Sequence, residues 1–108
     1  MIYTVPGDRV SASQIVEALS STVAKAVGKP ESYVMVSLTT DKPMSFGGSE
    51  EPCAYAELIS IGSFKDTAAI SGAIMSVVEH HLGVSPSRFY IKFSAISGSD
   101  MGWRGATF

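Results

Sequence analysis

The chain has 108 residues, 45% of them hydrophobic, with 8 basic and 10 acidic side chains and a formal net charge of -2. That length fits one domain, residues 1-108, with no room for a second core, and the absence of a Lys/Arg run argues against a protein that tracks a phosphate backbone. The single cysteine, Cys53, excludes an intrachain disulfide and a thiolate zinc cluster.

A domain this small buries only about 60 to 70% of the surface its unfolded chain exposes. The mean hydropathy is nevertheless positive, so part of the apolar surface is expected in a subunit interface. No charged segment followed by a signal-like apolar run opens the sequence, and no stretch approaches the roughly 18 apolar residues of a membrane span. A soluble protein of a reducing, cytoplasmic compartment is expected, although secretion without a signal peptide would leave no mark. No cofactor or metal is expected.

The first strand is short, with Tyr3-Thr4-Val5 available for pairing. Ser11-Ala12-Ser13-Gln14 has the form of a capping box, and Ile15, Val16, Leu19, Val23, Ala26 and Val27 follow at helical spacing. Gly28 and Pro30 end that helix. The β-branched and aromatic content of Tyr33 to Thr39 predicts a strand, Thr40 to Ser49 a loop, and Ala54 to Ile61 a second strand of the same kind. A second helix is predicted from about Asp66 to Leu82, with Ile70, Ile74, Val77, Val78 and Leu82 on one face and Gly83 as its stop. Arg88 to Ser94, with Phe89, Ile91 and Phe93 alternating, is a strand.

The order is a β-α-β unit repeated twice, with right-handed crossovers expected. The fold class is α/β (α+β): a four-stranded mixed sheet carrying two helices on one face, its other face bare and available to further copies of the chain.

Several strings, in order and spacing, carry a family resemblance: Ser21-Thr22-Val23-Ala24-Lys25, Gly28-Lys29-Pro30, Met44 to Ala54, Ser60-Ile61-Gly62, Gly102-Trp103 and Thr107-Phe108. The chain resembles the macrophage migration inhibitory factor and D-dopachrome tautomerase family, particularly its plant-like members. The resemblance implies a homotrimer with pockets at the subunit interfaces. An N-terminal proline there moves a proton in keto-enol tautomerisation of aromatic α-keto acids such as phenylpyruvate, or of dopachrome analogues. An amine in an apolar pocket beside cations favours its neutral form and so serves as a base near neutral pH.

By the same resemblance, Lys29 pairs with the substrate carboxylate; as a plain residue it is a cation at a helix C-terminus. Ile61 matches a pocket-floor residue, or sheet core. Tyr90 matches an aromatic pocket residue lent by the adjacent subunit, or a half-exposed strand tyrosine, and Lys92 would add a second cation there. Met101, Trp103 and Phe108 match the hydrophobic wall, and aromatic residues at a chain end can equally pin that end to a neighbour. Cys53 aligns with the first cysteine of a Cys-x-x-Cys motif whose partner position is Ala56, so it reads as a small buried residue. His80 and His81, adjacent on a helix, point about 100° apart and share no metal.

The sequence opens Met1-Ile2-Tyr3. Aligning Val5 through its distance to Ser21 leaves Met1 about five residues short of the family's start, a span of roughly 15 Å. The other alignment puts Met1 in the proline's place, making the base a primary amine of reference pKa about 7.7 to 8.0. In either register activity is expected to be weak or lost. The alternative function is cytokine-like, with the trimer surface binding a protein receptor without catalysis. A third possibility is an incomplete start, the native chain carrying a Met-Pro extension.

Overall fold

In the computed structural model, residues 12-108 are described in full and residues 2-4 through their backbone; Met1 and residues 5-11 lie outside the described residues. Strand β1 (Ile2–Thr4) is followed by helix α1 (Ala12–Val27), β2 (Leu38–Thr39), β3 (Ala54–Ile61), helix α2 (Thr67–Leu82), β4 (Phe89–Ile96), β5 (Gly102–Trp103) and β6 (Ala106–Thr107). The main sheet has the order β2-β1-β3-β4. β1 runs parallel to β2 and β3 parallel to β4, while β1 and β3 are antiparallel. Two β-α-β units therefore meet at β1 and β3, and the sheet is mixed as the repeat predicts.

The helices form where the apolar spacing places them. In α1, Ile15 and Leu19 are buried and Val23, Ala26 and Val27 pack against them, with Ala24 a further buried position. In α2, Ile70, Ile74 and Val78 are buried and Val77 and Leu82 lie at their margin. Asp66 caps α2 by accepting a bond from the Ala69 N–H at 3.0 Å, and Gly83 ends it in a left-handed conformation. Ser11, the first residue of the expected capping box, lies outside the described residues.

Both helices cover one face of the sheet. Ala54 and Ala56 of β3 and Phe89 of β4 are buried against them, with Leu58, Ile91 and Phe93 at the edge of the same core. Full burial of each large aliphatic side chain there contributes about 1.5 to 3 kcal/mol. Cys53 is 1% exposed and is packed as a small buried side chain.

The alternate residues face the other way. Tyr55, Glu57, Ile59 and Ile61 of β3 stand in register with Tyr90, Lys92, Ser94 and Ile96 of β4. No helix covers this face among the described residues, and Ile59 and Tyr90 are 51% and 66% exposed.

Three segments differ from the sequence pattern. Tyr33 to Thr39 is not one strand: Glu31–Tyr33 is a 3-10 turn and only Leu38–Thr39 join a ladder. β1 supplies partners from Ile2 onward, and Ile2 already pairs with Leu38. β4 continues to Ile96, and the β5–β6 hairpin follows. Its turn carries Arg104 and Gly105 at φ 56° and 78°, a conformation that Arg-Gly does not announce as Asn-Gly would.

Candidate functional site

The C-terminal ends of β3 and β4, the exit of α1 and the C-terminal hairpin converge at one end of the sheet. Gly28 turns left-handed at φ 71°, and its N–H and that of Lys29 both donate to the Ala24 carbonyl at 3.0 and 3.1 Å. That termination sends Lys29 off the helix toward β3. Its Nζ donates to the Ile61 carbonyl at 2.6 Å and to Ser60 Oγ at 3.1 Å. An ammonium has three donors, so one remains for an anion.

Tyr33, four residues further on, joins this end to the C-terminus. Its ring meets Trp103 at 5.8 Å and Phe108 at 5.9 Å, both edge-on, while Trp103 and Phe108 stack at 5.1 Å and 16°. The Arg104 guanidinium lies 5.1 Å from the Trp103 ring centre. All three rings are partly exposed. Met101 orders the segment through its backbone, donating to the Gly98 carbonyl at 3.2 Å and accepting from the Phe108 N–H at 3.2 Å. A Cβ on Gly98 would stand 2.8 Å from the Phe108 carbonyl oxygen, so this close approach requires glycine.

The sequence-predicted residues thus divide. Lys29, Ile61, Met101, Trp103 and Phe108 lie at this end, with Tyr33 as a member that its place in an apparent strand concealed. Tyr90 pairs with Tyr55, six residues from the Ile61–Ile96 pair, which is roughly 20 Å along the sheet. Lys92, opposite Glu57 in the register, is roughly 13 Å from Ile96. Both stand on the open face and are exposed, and one chain does not bring them to Lys29. Met1 lies outside the described residues.

The Tyr90 end is organised by Arg88, which carries no site signature in the sequence. Its guanidinium donates to four carbonyls, those of Pro52 at 3.0 Å, Phe46 at 3.1 Å, Ser49 at 3.1 Å and Glu51 at 2.9 Å. Phe46 and Ser49 bond to each other across Gly47 and Gly48, at φ 63° and 82°, so the turn needs two residues that tolerate positive φ. Phe46 in turn lies 5.0 Å from the Tyr90 ring.

The chain matches the family model of macrophage migration inhibitory factor (MIF) over residues 2–108. It is 39% identical over 106 residues to the macrophage migration inhibitory factor homolog of Brugia malayi, covering 96% of this chain and 91% of that protein. It is 37% identical over 98 residues to the Trichinella spiralis homolog, covering 89% and 86%. The crystal structure of the Prochlorococcus marinus homologue superposes with a TM-score of 0.93 at 37% identity, over 99% of this chain and 96% of that one. These matches and the doubled β-α-β sheet define a MIF-type tautomerase fold. The chain belongs to the macrophage migration inhibitory factor family.

Proposed function

We propose that the protein, a single domain over residues 1-108, assembles as a homotrimer whose interface pockets take aromatic α-keto acids of the phenylpyruvate type. The observation that carries this reading is the Lys29 ammonium, anchored on the Ile61 carbonyl and Ser60 Oγ at the end of the sheet where Tyr33, Trp103 and Phe108 form an aromatic wall. The ammonium pairs with the carboxylate and the wall receives the ring. Tyr90 and Lys92 stand on the uncovered face, and a neighbouring copy packed there supplies them to the pocket.

Tautomerisation takes a proton from the carbon beside the ketone and returns one to the carbonyl oxygen, with no change in composition and no cofactor. It needs a base next to the bound keto acid. Ile2 pairs with Ala56, five strand residues from Ile61, or roughly 17 Å. A chain without a base near Lys29 enolises such a keto acid weakly. Intact-mass measurement of the native protein identifies the amine that is present.

Phenylpyruvate binding, measured by titration alongside its enolisation rate, tests the pocket. Losing a charged hydrogen bond in Lys29→Ala is expected to weaken binding about 10- to 100-fold. Unchanged affinity would remove Lys29 from the site. Protein-partner binding that survives both Lys29→Ala and saturating keto acid would place the function on the outer surface, as in the cytokine-like alternative.

A further inference from the structure

Arg104 stands exposed at the tip of the β5–β6 hairpin, its guanidinium 5.1 Å from the centre of the Trp103 ring. Among the described residues no hydrogen bond or ion pair engages its N–H groups. The nearest acid in the sequence, Asp100, instead accepts from Ser97 Oγ at 3.1 Å. A charged fork with five donors is therefore left open to a ligand.

The turn itself gives no reason for an arginine. At φ 56° the Arg104 backbone is left-handed, a conformation uncommon in residues other than glycine, asparagine and aspartate, and Asn-Gly would close the same hairpin with less strain. What the arginine supplies is its contact with Trp103. A guanidinium set over an indole is held by cation–π attraction and keeps in-plane N–H groups available for a bidentate carboxylate.

Contacts connect this cation to Lys29 through the aromatic wall. Lys29 Nζ is held on the Ile61 carbonyl, and Ile61 pairs with Ile96. Two residues further on, Gly98 lies against the Phe108 carbonyl. Phe108 stacks on Trp103 at 5.1 Å, and Arg104 follows at the same distance. Tyr33 meets both rings edge-on and ties them back to the chain just past Lys29. In the order of contacts, one cation precedes the wall and another follows it.

We propose that Arg104 is a specificity residue that selects aromatic α-keto acids bearing a second carboxylate on the ring. The keto-acid carboxylate pairs with Lys29, the ring lies on the wall, and the ring carboxylate meets the Arg104 fork. This rests on the proposed keto-acid pocket and adds to it a preference for dianions. Because Arg104 is exposed, water and salt screen the second pair, and its effect is about three- to tenfold in affinity.

Two probes decide it: phenylpyruvates with a para carboxylate and with a para carboxamide, close in shape and different in charge. Titration of the full chain is expected to show the carboxylate bound about three- to tenfold more tightly, a ratio that falls as salt is added. In Arg104→Asn the ratio is expected near one. Asparagine suits the left-handed turn and so keeps the hairpin, and a ratio of two ligands on one protein does not move when part of the sample is unfolded. A ratio near one in the unsubstituted chain overturns the inference, as does a preference retained in Arg104→Asn. Lys29→Ala is expected to weaken both probes. If it leaves both unchanged, the pocket is misplaced and the inference falls with it; if it weakens both while the ratio ignores Arg104, only the inference falls.

Discussion

Along β3 and β4, neighbouring residues of one strand live in opposite settings. Ala54, Ala56 and Phe89 are sealed under α1 and α2, while Ile59 and Tyr90 on the reverse face stay about half or more exposed. The helix-covered face is completed by this chain. The open face carries aliphatic and aromatic side chains beside Glu57 and Lys92 and receives no cover from the described residues. The difference teaches that the chain completes a folding core on one side of its sheet and leaves on the other the apolar face that is proposed for association.

Substitutions separate the two faces. Leu19→Ala removes a side chain only 2% exposed and is expected to cost about 2 to 5 kcal/mol in chemical denaturation. Arg88→Lys cannot reproduce a fork that meets four carbonyls, and a loss of about 1 to 3 kcal/mol is expected, with changed near-ultraviolet signals from Phe46 and Tyr90. Asp66→Ala removes the cap of α2 at about 1 kcal/mol, read as a fall in melting temperature. Ile59→Lys is expected to change the folding stability of the single chain by less than about 0.5 kcal/mol, while sedimentation shows the assembly reduced to monomers. A trimer unaffected by Ile59→Lys would break the assignment of the open face to association.

Much of this was legible beforehand. Ile15, Leu19, Ile70, Ile74 and Val78 recur with the helical period, and β3 could be bounded at Ala54 and Ile61 because both signals are local. Lys29 could be placed after the first helix, since Gly28 and Pro30 end it. Tyr33 escaped notice because its value lies in rings 70 or more positions away, at Trp103 and Phe108. Arg88 escaped because its partners are main-chain carbonyls, which leave no residue pattern. The strand expected over Tyr33 to Thr39 has the side chains of a strand and shortens because pairing depends on a neighbour.

By itself, then, the sequence determined the helices, the paired β-α-β plan, the family and the place of Lys29 just past the first helix, since periodicity, caps and turn residues act within a few positions of one another. Tertiary structure decided which strand edges find partners and which face stays open. It also decided that Tyr90 and Lys92 stand about 20 and 13 Å along the sheet from Lys29's end. Those outcomes depend on register between distant segments, and a shift of one residue would have reversed every face.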